Sequence, residues 1–381
     1  MESALQALIE RIAQAHQTRT PLRIRGGGTK DFLGHSLQGE VLDTRTLRGI
    51  RAYEPSELVI TAAAGTPLAE LEAALREKNQ YLPFEPPHLS WSASTAVGPA
   101  TVGGMVAAGL AGPARATVGS VRDYVLGVQM VNGLGQHLTF GGQVIKNVAG
   151  YDVSRLLAGS MGTLGLITEV SLKVLPLPAA EATLVFQVGQ AAALEQLHRW
   201  GGQPLPLNAS CWVRDDTAPH QPELLFVRLR GAAAAVEAAC LRMLNDLPGK
   251  QLDNAKTAPD WEQLRHQTLP FFTRPGEDRA LWRLSLPQTA PALELPWPQL
   301  VEWQGGMRWV WAPVEAAAAL QSAARRVGGH ASIFVATNAQ PTADSTGFGT
   351  ENAATLVIAR RVKQHFDPQG IFNPQRLYPD F

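Results

Sequence analysis

The chain opens with apolar residues at helical spacing: Leu5, Leu8, Ile9 and Ile12 share one face, predicting an amphipathic helix over residues 3–16. The period then changes. Leu22 and Ile24 alternate with polar neighbours in a short strand that runs into Gly26, Gly27 and Gly28. Residues 41–43 and 57–61 read as further strands. Thr66 followed by Pro67 predicts a capped helix start, with Leu68, Leu71 and Leu75 on the buried face. Residues 125–131 read as a strand, and Asn132-Gly133 is a hairpin turn signal. Asp152 predicts the cap of a short helix through Leu156 and Leu157 that ends at Gly159. Leu166, Val170, Leu172 and Val174 then form one face of a strand, with Ile167, Glu169, Ser171 and Lys173 on the other. Pro176 and Pro178 stop it.

Beyond those prolines the texture is different. Strands are predicted at residues 183–188, 209–214, 223–229, 280–286, 307–311 and 331–336. Helices are predicted at residues 191–200, 232–244 and 314–327. Paired strands with helices between them predict one antiparallel sheet with helices on one face. Residues 338–350 read as a Thr/Ala/Ser/Gly loop, followed by a helix at 353–364 and then Asp367, Pro368, Asn373 and Pro374. The division expected is 1–176, 177–337 and a C-terminal segment 338–381.

Composition narrows the function. A chain of 381 residues is long enough for two or three domains. Lys and Arg number 33, as do Asp and Glu, so the excess positive field of a general nucleic-acid binder is absent. Hydrophobic residues make up 45%, which argues against extended disorder. Two cysteines, Cys211 and Cys240, with no CxxC, exclude a four-cysteine zinc or iron–sulfur site built from this chain alone. The nine histidines are dispersed without a local ligand pair, so no metal is assigned. No run of 18 apolar residues occurs. Glu2, Glu10 and Arg11 interrupt any secretory signal. The expectation is a cytoplasmic protein, or one reaching the inner membrane peripherally through a partner.

Glycine is the unusual feature. Fifteen of 35 glycines fall between Gly98 and Gly165, so the backbone there turns often or approaches something closely. Earlier, RGGGTK (Arg25, Gly26, Gly27, Gly28, Thr29, Lys30) follows a strand. Successive glycines can aim backbone N–H groups at one point and form an anion nest, and Thr29 and Lys30 add a hydroxyl and a charge. The plainer alternative is a surface turn. Neither GxGxxG in a βαβ unit nor GxxxxGK[ST] occurs, so nicotinamide dinucleotides and nucleoside triphosphates lack their usual signatures. A second element, residues 98–127, mixes Gly103, Gly104, Gly109 and Gly112 with alanines, suiting either a flat ligand or tight helix packing. A third, residues 150–169, sets Gly162 and Gly165 around Thr163.

The order RGGGT, ATVGGMVAAG, VLGVQMVNGLG, KNVAGYDVSRLLAGSMGTLGLITEV resembles the FAD-binding domain of the vanillyl-alcohol oxidase (PCMH-type) flavoprotein family. The tail VKQHFDPQGIFNPQRLY is similar to the end of that family's 2-hydroxy-acid oxidases. The resemblance implies an α+β fold: a PCMH-type FAD-binding domain of two subdomains, plus a smaller α+β cap domain. It implies that Gly26–Thr29 serve the pyrophosphate, and that Thr101, Gly103, Gly104 and Gly109 line the dinucleotide. Gly162, Gly165 and Ile167 would sit by its adenosine or ribityl part, and Asn373 would approach the isoalloxazine. Neither His nor Cys occurs in residues 98–127, so non-covalent FAD is expected.

The activity implied is oxidation of glycolate to glyoxylate by an FAD-binding subunit of a complex. Its partners would be a larger FAD subunit and an iron–sulfur subunit. The histidine-rich motif of related D-2-hydroxy-acid dehydrogenases is missing, which weakens a second reading, a self-sufficient dehydrogenase. A third is a non-catalytic FAD-binding assembly subunit. For a substrate carboxylate, Arg265 and Arg308 are the candidate clamps and His330 the candidate base, against plainer roles on a helix surface or stacked on Trp303 or Trp309.

Overall fold

The computed structural model describes residues 2–35, 37–89, 91, 98–142, 152–215, 219–337 and 353–379. The expected loop at 338–350 and the KNVAGY stretch, residues 146–151, lie outside them. The chain divides into two compact units. The first comprises Met1–Leu110, Ser120–Leu177 and Gly347–Phe381; the second comprises Ala111–Gly119 and Pro178–Thr346.

In the first unit the opening helix, Glu2–Thr18, buries Leu8, Ile12 and Ala15. They pack with Leu22, Leu42, Ile371 and Phe372, so the two chain ends share one core. Leu22–Arg25 pairs in parallel with Glu40–Asp43. A separate five-stranded antiparallel sheet runs Ile50–Glu54, Val59–Ala63, Leu166–Lys173, Val125–Val131, His137–Gly141. The turn at Asn132 forms as expected: its side-chain oxygen accepts from the Leu134 and Gln136 N–H groups. Asp152 caps Val153–Leu156 as expected, accepting from Arg155 N.

One cap differs. Pro67, not Thr66, is the N-cap of Leu68–Arg76, and it makes no side-chain cap bond. The Thr66 hydroxyl is instead held by the Gly49 backbone, because Leu68 N and Val102 N take the Ala100 and Thr66 carbonyls and join this helix start to the next segment.

The C-terminal helix, Ala353–Phe366, ends in a buried pair. Lys363 Nζ lies 2.6 Å from Asp367 Oδ2 and also donates to Thr163 O and Phe372 O. Asp367 in turn accepts from Ile371 N and Phe372 N. This knot returns the tail to the first strand, where Leu22 N donates to Ile371 O and Asn373 N to Leu22 O.

The second unit is an eight-stranded antiparallel sheet. Its order is Gly249–Leu252, Ala180–Gln187, Glu223–Gly231, Leu207–Arg214, Gln299–Glu302, Met307–Pro313, Arg279–Ser285, His330–Val335. Gln190–Gly201 and Ala233–Asp246 cover one face over Leu184, Phe186, Leu225 and Val227. Ala317–Arg326 continues that layer over Trp282, Leu284 and Val310. The sequence placed all helices on this face. Asn254–His266 lies on the other, with Trp261 Nε1 donating to Thr183 Oγ1. Cys211 and Cys240 are both free and buried. No helix among the described residues is long and apolar enough to cross a membrane.

Candidate functional site

The first strand delivers the chain into the glycine run. Asp31 accepts from Arg25 Nε at 2.8 Å and its backbone N–H donates to Gly28 O, which closes residues 25–31 into a tight loop. Gly28 takes a left-handed conformation, φ +81°, that disfavours a side chain. Gly27 passes so close to Pro99 that a Cβ would overlap its carbonyl. Among the described residues, the backbone N–H groups of Gly26, Gly27, Gly28 and Thr29 have no protein acceptor. Four neighbouring N–H groups without partners, on residues that line one cleft, suit an anion nest.

The surrounding walls suit an anionic, flat ligand. Residues 23–31, Thr101, Gly104, Ala107, Ala108, Met161, Asn373 and Arg376 line a cleft of about 90 Å³. This is room for a phosphate group; a dinucleotide would extend beyond it. Gly104, Ala107 and Ala108 give one face of Val102–Ala108 no side chain longer than a methyl. Lys30 Nζ donates to Thr29 Oγ1 and His88 O, and burial pulls its pKa down to about 8. Its charge costs solvation there and would be favoured by a bound anion.

The predicted cofactor residues do not all meet at this cleft. Arg25 to Lys30, Thr101, Gly104 and Asn373 line it. Gly103 packs on Ala64, and its N–H donates to Ala64 O. Gly109 ends its helix against Gly159. Gly165 and Ile167 belong to the junction of Leu166–Lys173 with Met130 and Val131. Gly112 lies in the second unit, where its carbonyl accepts from Trp303 Nε1 at 3.0 Å. Asn373 is a clasp: Ile24 N donates to its Oδ1, and its Nδ2 donates to Met161 O. The small Gly162 makes room for it, since a Cβ there would stand 2.7 Å from Nδ2.

Sequence reasoning missed Arg376. It is buried and donates from Nη2 to Lys30 O and Asp31 O, buttressing the nest from beneath. Its place three residues after Asn373 was the available signal.

A model of the FAD binding domain matches residues 3–141. The chain is 45% identical to the glycolate oxidase subunit GlcE of Escherichia coli, over 98% of its own length and 97% of that protein's. It belongs to the GlcE family. A 32% likeness to the glycolate oxidase subunit GlcD of Bacillus subtilis covers 44% of this chain and 34% of the relative. Solved structures of alkyldihydroxyacetonephosphate synthase share the fold, one with TM-score 0.65 and 17% identity over 96% of this chain and 74% of the synthase. The chain is thus a PCMH-type α+β flavoprotein with FAD as its cofactor, within an FAD-dependent oxidoreductase family. The acceptor-free nest fits the cofactor's pyrophosphate.

The three candidate catalytic residues are not assembled. Arg265 sits in the last turn of Asn254–His266, 3.3 Å from Glu262, whose pKa is held down to about 2 by the His266 hydrogen bond and then by Arg265. Arg308 is fully buried on the helix-covered face and donates from Nη2 to Ala290 O; its Nε and Nη1 have no acceptor. None of the residue is exposed to solvent, and burial lowers its pKa to about 10, which argues against the clamp role. His330 lies on the opposite face, because Leu284 pairs with both Arg308 and Ala331 and sides alternate along a strand.

Among the described residues no cluster of three or more His, Cys, Asp or Glu could hold a metal ion.

Proposed function

We propose that this chain is the FAD-binding subunit of a glycolate oxidase complex, in which glycolate becomes glyoxylate and electrons pass through flavin to a partner subunit. The observation that carries the reading is the acceptor-free run Gly26 to Thr29 beside Lys30, in a relative of GlcE along nearly its whole length. FAD, when bound, supplies the two-electron acceptor. The chain's residues do the holding. Backbone N–H groups of the nest take phosphate oxygens, Lys30 balances their charge, and the bare face of Gly104, Ala107 and Ala108 admits a flat group.

The hold is proposed as non-covalent; among the described residues no His or Cys lines the cleft. Electrons leaving the flavin need a carrier outside this chain, because its two buried cysteines belong to different strata of the second unit and form no ligand set. A larger FAD subunit and an iron–sulfur subunit fill that need, and would bring the chain to the cytoplasmic face of a membrane.

The test is an anaerobic titration of the FAD-loaded chain with glycolate, alone and with the other subunits. The expected result is an oxidised flavin in the isolated chain and rapid bleaching in the complex. Bleaching of the isolated chain would replace this reading with a self-sufficient 2-hydroxy-acid dehydrogenase. A flavin that stays oxidised throughout turnover of the complex would leave only an assembly role.

A further inference from the structure

The face of the second unit's sheet opposite Arg308 carries a different guanidinium, which the functional reading has not used. Arg283 stands on Arg279–Ser285, with Trp309 and Ser332 as its cross-strand neighbours. His330 shares that face, paired with Ser285 one step along the ladder. Among the described residues the Arg283 guanidinium has no hydrogen-bond or ion-pair partner, and its Nε is buried without an acceptor. Such a group costs free energy unless a ligand or water meets it.

Its neighbours add positive charge and a flat wall. The Arg283 guanidinium carbon lies 5.7 Å from the centre of the Trp303 ring, and that of Arg115 lies 4.5 Å from the same ring. Arg115 belongs to the second unit through Ala111–Gly119, which is anchored by Thr117 Oγ1 donating to Asn208 O and by Trp303 Nε1 donating to Gly112 O. Two cations on one indole ring repel. Burial and Arg115 together lower the Arg283 pKa to about 10, against the pull of Glu302. Burial, and then Arg283, lower that of His330. Glu302 is buried and accepts from Trp309 Nε1 at 2.6 Å, so its carboxylate is turned at least partly to the indole.

We propose that Arg283, flanked by Arg115 and His330 on the face walled by Trp303, binds the carboxylate of a small organic acid. A guanidinium fork matches two carboxylate oxygens, and a half-buried site strengthens the pair relative to open water. The Trp303 ring lies within cation–π reach of the guanidinium, 5.7 Å from its central carbon. The choice of a small hydroxy or oxo acid rests on the proposed function; the cation cluster does not. The inference concerns binding in this chain, and the flavin titration separately decides where oxidation occurs.

The test is calorimetric titration of the full-length, FAD-loaded chain with oxalate, and with sulfate as an anion of matched charge but tetrahedral shape. Wild type, Arg283→Gln and Arg283→Lys are compared, with FAD content and melting temperature read on each sample. Wild type should bind oxalate saturably and prefer it to sulfate. Arg283→Gln should weaken oxalate by about tenfold or more, and Arg283→Lys should bind less tightly than wild type because it keeps the charge and loses the fork. Should the Gln variant unfold, the Lys variant decides: unchanged oxalate affinity there overturns the proposal. So does equal affinity for sulfate, or no saturable binding by a wild-type chain with its full FAD. A folded wild-type chain that holds no FAD would instead sink the cofactor reading and leave the carboxylate result standing.

Discussion

Lys30 shows how one residue's environment becomes a binding property. Its ammonium is shielded from water and its pKa is lowered to about 8 by burial. A pyrophosphate beside it favours the charged form, so the bound pKa is higher than the free one. Below about pH 8 the charge is already present and affinity is flat. Above it, binding must take up a proton, and affinity falls by up to tenfold per pH unit until the bound pKa is reached. FAD dissociation constants measured by flavin fluorescence from about pH 7 to about pH 10 should show this bend. A flat profile, or the same bend in Lys30→Arg, would contradict the assignment. The glycine run was legible at this scale because few structures other than a tight turn tolerate three glycines in a row. The choice between Arg308 and Arg283 was not. Both lie in apolar strands, RALWRLS and MRWVWAP, and alternation tells that sides differ without telling which side helices cover.

Among the elements, the C-terminal helix and tail do the most for the site. Lys363 and Asp367 are nearly inaccessible to water, with 7% and 0% of their side chains exposed. Burial lowers the Lys363 pKa, against the pull of Asp367, so its charge persists by virtue of that partner and two carbonyls. Removing one member of a buried pair leaves the other uncompensated, at a typical cost of about 3–5 kcal/mol. Lys363→Met should lose stability of that order in denaturant unfolding. It should also weaken FAD binding, because Asn373 and Arg376 hang from the same tail. Loss of less than about 1 kcal/mol would show that the pair does not hold the tail.

The sequence marked this helix but not its destination, since contacts such as Asn373 with Ile24 span almost the whole chain. The strands it missed include Ile50–Glu54 and His137–Gly141, the two edges of the five-stranded sheet. Their residues are exposed or only half-buried, so little apolar pattern was required of them. The sequence put Arg265 on a helix surface but did not bound Asn254–His266 or give its face, because that helix has little amphipathic contrast and contains Pro259.

For the whole molecule, neutrality is consistent with the mode of cofactor binding. Equal numbers of acidic and basic side chains offer no large field. On the proposed assignment the pyrophosphate would be met locally, by backbone dipoles and a few cations around residues 23–31. The ordered glycine motifs made the FAD-binding unit readable, because close backbone approach restricts sequence strongly. The second unit's general architecture was readable from strand–helix alternation, but its ligand chemistry was not, because it depends on side chains from Ala111–Gly119 and from Arg279–Ser285 meeting across more than 160 residues.

The central claim, that this chain holds FAD non-covalently in the Gly26–Thr29 nest, is tested most directly by flavin stoichiometry before and after denaturation. Wild type and Gly27→Ala would be purified identically and saturated with FAD, and flavin absorbance would be read in the protein fraction and in the filtrate after unfolding. The account predicts about one flavin per wild-type chain, all of it released on unfolding, and little or none on a folded Gly27→Ala chain, whose new methyl group would overlap the Pro99 carbonyl. A folded wild-type chain unable to take up FAD, flavin that stays with the unfolded chain, or a Gly27→Ala chain that binds FAD as tightly as wild type would contradict it.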